Sequence, residues 1–268
     1  MTAVATVTAM PVEARRRTVA GALGGAEAWR IVRHPVTLAG LALFILVNGA
    51  VGGDDAVGAF DMPTTGTTYF LGVFTYFAAN LVTTRDRRSG GEEMLAPLPA
   101  DRLTRTVATV LAALGPAVLA VVVVVLVVGA YELLGFFDVR PGFWHLAQAP
   151  VSVFGGALLG IMVGRWAPYP GVALLVMVAM VAWNVAASNT ENWGPVGTYT
   201  SWARYTDNGS WGGYYPGSPF WHVLYLVALC AMAAVGTVLR DVRNRLPWLA
   251  AGALLTLSAL LAGWAALP

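Results

Sequence analysis

Long apolar runs separated by short polar stretches define this chain. Seven runs occur, at Val36 to Val51, Gly66 to Thr83, Thr106 to Ala130, Trp144 to Gly164, Tyr169 to Ala187, Phe220 to Leu239 and Leu246 to Ala266. Each is continuously apolar, without the alternation of a barrel strand, so each predicts a helix. The first is the shortest. Before it, Glu27, Arg30 and His34 share one side of a helical wheel while Ala28 and Val32 face away, with Trp29 and Ile31 flanking. That spacing predicts an amphipathic interfacial helix ending where the chain turns at His34-Pro35. The predicted fold is an all-α integral membrane protein of two parts. Residues 1–35 form a cytoplasmic tail and interfacial helix, and residues 36–267 form a single transmembrane domain of about six to seven helices.

Composition strengthens this picture. A mean hydropathy of +0.67, with 57% hydrophobic and 11% charged residues, is far from the soluble norm of about 25% charged. A span needs ~20 residues to cross a ~30 Å hydrocarbon core, so six or seven crossings use most of the 268 residues. A twin-arginine or secretory signal at Arg15, Arg16 and Arg17 is disfavoured, because Glu27 and Arg30 interrupt the required apolar core.

All sixteen basic residues are arginine. Without lysine there is no P-loop and no Schiff-base chemistry, so any ATP is hydrolysed by a partner. With an N-terminus inside and seven crossings, fourteen arginines fall on the cytoplasmic side and only Arg140 and Arg204 outside. This is a positive-inside pattern. It orients the chain with a cytoplasmic N-terminus, in contact with lipid and with no nucleic-acid partner expected. The outer face then carries one long segment, 188–219, rich in Trp, Tyr, Gly and Pro, which reads as an interfacial cap rather than a ligand lid.

Between the second and third runs lies RDRRSGGEEMLAPLPADRLTR, Arg85 to Arg105, with nine charged residues. Ser89 and Glu92 have capping-box spacing, and Glu92 and Glu93 suit the positive end of a helix dipole. Pro97 and Pro99 end the helix after about two turns, and Asp101 is placed to cap the next span. The stub carries Met94, Leu95 and Leu98 beside the two glutamates. An ordered, half-apolar turn is a docking feature rather than a solvated loop.

The interfacial helix followed by Asp86-Arg87-Arg88-x-Gly90-x-Glu92-Glu93-x-Leu95-x-x-Leu98-Pro99 resembles the permease subunits of ABC exporters of the second membrane-subunit type. The Arg-for-Lys and Ala/Val/Gly bias is similar to that of actinobacterial versions, which implies a bacterial cytoplasmic membrane. The resemblance covers roughly Ala28 to Leu239. It implies that the loop is a coupling helix seated in a groove of a separate ATP-binding subunit. Ser89, Glu92, Glu93, Met94, Leu95, Leu98 and Pro99 would dock there, and Trp29, Arg30 and Arg33 of the interfacial helix would also touch it. It further implies a second permease copy or homologue as partner. ATP and Mg would reside on the ATPase, and no cofactor in this chain. The family usually has six spans, whereas Pro247 to Leu267 reads as a seventh after the basic turn Arg240 to Arg245.

Rival functions fare worse. An ion-coupled carrier needs ionisable groups near the midplane, and no Asp, Glu or Arg lies mid-run. Asn48, Asn80 and Asn184 read as interhelical hydrogen-bonding groups. An intramembrane enzyme lacks a motif: His34, His145 and His222 sit at membrane edges without metal-ligand spacing, and no G-x-S-x-G occurs. Cys230, the one cysteine, reads as lipid-facing or packed filler. A membrane anchor or regulatory subunit explains the hydrophobicity equally well but not the capped loop. Glycines at Gly155, Gly156, Gly160 and Gly164 offer small faces for close helix packing.

Overall fold

The computed structural model describes residues 12–51, 62–88, 101–137, 140–188 and 218–266. Among them it is all-helical, with no strand. The helices are α1 (Val12–Val32), α2 (Pro35–Val51), α3 (Val73–Arg88), α4 (Arg102–Ala112), α5 (Leu114–Leu134), α6 (Phe143–Trp166), α7 (Val172–Ser188), α8 (Pro219–Leu239) and α9 (Leu246–Ala265). All seven apolar runs are helical. Four helices are long and apolar enough to cross a bilayer: α4 with α5 as one 33-residue helix, α6, α8 and α9. α1 and α2 add a fifth if taken as one bent span.

Prolines set the breaks. Pro35 has no N–H, so the Ile31 carbonyl loses its helical donor. The Thr37 hydroxyl replaces it at 2.7 Å, while His34 Nδ1 accepts from the Val36 N–H at 3.3 Å. The chain bends 50° at this point. Pro116 acts likewise on the Ala112 carbonyl, and Ala113 tightens to a three-residue bond with Val110, marking the joint between α4 and α5 without dividing the long helix. α5 ends on Gly135, whose φ of 71° lets Phe136 N–H reach the Tyr131 carbonyl.

Two π-helical turns, Met62–Gly66 and Thr68–Gly72, lead into α3. Their wider winding frees carbonyls that threonines take up: Thr68 donates to Thr64 O at 3.1 Å and Thr67 to Met62 O at 3.4 Å. This segment and α3 form the centre of the bundle. Leu71, Tyr76, Ala78 and Ala79 are fully buried, and so are Thr67 and Thr75. A helix walled by protein on most sides does not need a lipid-compatible surface, which explains why this span is less apolar than α5, α6, α8 and α9.

Close approaches fix the neighbours and their directions. Gly72 meets Gly156, Tyr76 meets Gly160, and Asn80 and Thr84 meet Gly164, so α3 runs parallel to α6. Gly155 faces Cys230 and Gly236 faces Met162, so α8 also runs parallel to α6. The glycine row therefore splits by face: Gly156, Gly160 and Gly164 accept α3, while Gly155 accepts α8. Gly24 lies against Ala108 and Gly115 against Ala28, and Tyr131 bonds to Asn48 at 2.6 Å. α1 and α2 thus follow α4 and α5 along their length, and α1 is packed rather than isolated. α9 returns along α8, with Ala259 and Ala262 against Tyr225 and Leu226.

Candidate functional site

The ends of α1, α3, α4, α6 and α8 that carry arginines meet at one end of the bundle. Ser89, Glu92, Glu93, Met94, Leu95, Leu98 and Pro99 lie outside the described residues. The helices on either side of that loop are described, and both are anchored.

On the entering side, Arg85 near the end of α3 donates to Glu27 Oε1 at 2.8 Å. Arg30, one helical turn on from Glu27, donates to the same oxygen at 2.6 Å. One carboxylate thus clamps α1 to α3. The side chains are partly exposed, so each pair contributes on the order of 0.5 kcal/mol, and its value is positional. Arg33 and Trp29 stack outward, with the guanidinium 5.3 Å from the ring centroid and Trp29 61% exposed. An exposed tryptophan beside arginines is the pairing expected where a helix meets headgroups.

On the leaving side, Asp101 caps α4 by accepting the Thr104 N–H at 2.9 Å. One turn into the helix, the buried Thr106 hydroxyl donates to Asp241, which also accepts from Arg165. Asp241 sits in the basic turn between α8 and α9, so this cluster joins α4, α6 and α8. Its side chain is 11% exposed and that of Arg165 is 20%. Arg105 and Arg240 are close enough to act on Arg165, so one carboxylate serves several positive charges. Trp166 reinforces the joint by donating to the Gly236 carbonyl at 2.9 Å.

Sequence reasoning missed both clamps. Glu27 and Arg85 are 58 residues apart and Arg165 and Asp241 are 76 apart. The usable signals were an acid inside an otherwise basic turn, at Asp241, and a lone arginine closing an apolar run, at Arg165. The asparagine reading fares better. Asn80 Nδ2 donates to Gly160 O at 3.1 Å and Asn48 accepts from Tyr131, both between helices. The Asn184 side chain lies outside those described.

His34 caps α2, whereas His222 is 1% exposed and stacks on Tyr225, buried in protein rather than presented at an edge. Cys230 is buried, its thiol 3.4 Å from the Val151 carbonyl, so it is packed between helices. Among the described residues no group of three or more His, Cys, Asp or Glu is placed to hold a metal. At the opposite end of the bundle Arg140 pairs with Glu132 at 2.6 Å.

No family model, curated protein or solved structure matches the chain.

Proposed function

We propose that this chain is the permease subunit of an ATP-driven ABC exporter, crossing the bacterial cytoplasmic membrane seven times with its N-terminus inside. Two permeases pair, and each binds an ATP-binding subunit that carries the ATP and Mg. The cargo is apolar or amphipathic.

The observation that carries this reading is the double anchoring of the Arg85–Arg105 loop. A loop meant only to join two spans has no need for clamps on both sides. Force applied at Ser89 to Pro99 passes on one side into α3, which is largely enclosed by protein, and on the other into α4. From α3 it reaches α6 through the glycine crossings, and from α4 it reaches α6 and α8 through Asp241. The basic end then faces the cytoplasm, in accord with the arginine distribution.

The direct test is purification of the tagged chain from its host in mild detergent, with mass spectrometry of what accompanies it. A stoichiometric ATP-binding subunit is expected, and Glu92→Arg with Glu93→Arg should remove it while the permease stays inserted and monodisperse. Retention of the ATPase by that variant overturns the docking assignment. Absence of any ATPase overturns the exporter reading in favour of an anchor or carrier. Seven crossings place the C-terminus outside, so in a Cys230→Ala background a Leu267→Cys thiol should react with an impermeant maleimide on intact cells. Labelling only after lysis means an even number of spans.

A further inference from the structure

A cavity of about 320 Å³ lies between α6, α7 and α8, with Gly72 of the α3 approach at its back. Four of the five methionines among the described residues line it, Met162, Met177, Met180 and Met232, together with Cys230 and Gly155. No charged residue contributes to the wall. Gly155 and Cys230 sit close to the midpoints of α6 and α8, so the cavity is at mid-height in the bundle.

We infer that this cavity binds the hydrocarbon chain of a membrane amphiphile, which enters sideways between α7 and α8. Four observations select that occupant. An apolar wall excludes water, since a stable buried water needs two to four polar partners. The volume is at the lower end of the ~300–1,000 Å³ of small-molecule sites, which suits a single chain. Methionine's unbranched thioether adapts to flexible apolar ligands and is over-used at surfaces that accept several of them. The flanking outward faces, Leu175 and Val178 on α7 and Leu224 and Val227 on α8, are exposed apolar residues, so the mouth opens among lipid tails.

A helix from a second copy is the competing occupant. It is about 10 Å across and needs a groove running along its length, whereas this space is confined to the middle of the helices. Gly155 lets α6 and α8 close together beside the cavity, because a Cβ there would fall 2.9 Å from the Cys230 sulfur. α7 is held mainly by Met177 against Tyr76 and Val163 and by Tyr76 donating to the Ala173 carbonyl at 2.8 Å. Its α8 side is where the cavity lies.

This inference deepens the exporter reading by naming a tail-bearing cargo class, but it rests only on the membrane-spanning part of that reading. The test therefore uses the permease alone. The purified chain is placed in nanodiscs of phosphatidylethanolamine and phosphatidylglycerol, doped in one arm with a phospholipid carrying a diazirine midway along one chain and in the other with a diazirine fatty acid. After illumination, peptide mapping should show adducts at Met177, Met180, Leu229 and Met232 severalfold above those at the lipid-facing Leu126 and Leu254. Met180→Phe with Ala233→Phe fills the cavity and should remove the first group while leaving the second. Labelling in the phospholipid arm alone identifies a two-chain lipid, and in the fatty-acid arm alone a single-chain amphiphile. Adducts spread evenly over all lipid-facing helices, or none at the cavity residues in either arm, would overturn the inference on the wild-type protein itself.

Discussion

Gly160→Leu is expected to prevent the chain from folding into a monodisperse species in mild detergent. A Cβ at Gly160 overlaps the Tyr76 carbonyl oxygen, which belongs to the helical backbone and has no rotamer to escape into. Tyr76 is itself fully buried, so α3 has nowhere to retreat. The Gly160 carbonyl also accepts from Asn80, a bond lost once the helices separate. Helix association in lipid relies on close packing of small residues, because lipid tails remove the hydrophobic drive that water supplies. Overpacking costs about 1–3 kcal/mol even where neighbours can yield. Here the clash is backbone against backbone at the central crossing, and native stability is only ~5–15 kcal/mol.

Gly160→Ala should fall between wild type and leucine in thermal unfolding followed by fluorescence-detected size exclusion. Gly129→Leu is the matched control, since no atom lies within 4 Å of a Cβ there. If Gly160→Leu melts with the wild type, the α3–α6 crossing does not organise the bundle.

That crossing shows where sequence reasoning succeeds. Small-residue spacing announces close packing, and Gly156, Gly160 and Gly164 do pack closely on α3. Local chemistry was equally legible: Asp101 caps the helix it precedes, and the chain bends at His34-Pro35 where proline removes a donor. These features depend on residues a few positions apart. Partners across the bundle do not announce themselves. On a helical wheel Glu27 is one member of a polar stripe, and its clamp on Arg85 appears only once α1 lies beside α3. The threonines between Met62 and Thr84 lower the apolarity of the second run without revealing that this run is the core. Hydropathy reports compatibility with lipid, whereas α3 is solvated by protein. The wheel of α1 predicts an interfacial helix but not its neighbours: Gly24 and Ala28 fit it against α4 and α5, because Gly115 leaves room that a helical wheel of α1 alone does not show.

Asp241→Leu should be the most damaging change at the basic end, and Arg165→Met should largely repair it. Asp241 accepts from Arg165 and Thr106 in a mostly buried setting, with Arg105 and Arg240 nearby. Removing the carboxylate leaves a mostly buried guanidinium facing other positive charges. Breaking such a pair from one side costs about 3–5 kcal/mol. Arg165 is next to the last residue of α6 and its long stem can carry the charge outward, which sets the expectation at the low end, near 3 kcal/mol.

The double variant removes the stranded charge together with its partner. Replacing a buried ion pair by apolar residues of similar size is often neutral or stabilising, and Thr106 retains the Arg102 carbonyl at 3.0 Å as an acceptor. Thermal unfolding of the four proteins in one detergent reads the coupling as the non-additivity of their midpoint shifts. Equal losses in Asp241→Leu and in the double variant would show that Asp241 acts through the α8–α9 turn and not through Arg165. The pair also separates stability from coupling. A double variant that folds as well as wild type has still lost the tie from α4 to α6 and α8, so under the proposed exporter function an ATP-binding subunit should remain bound to the loop while ATP hydrolysis no longer responds to cargo.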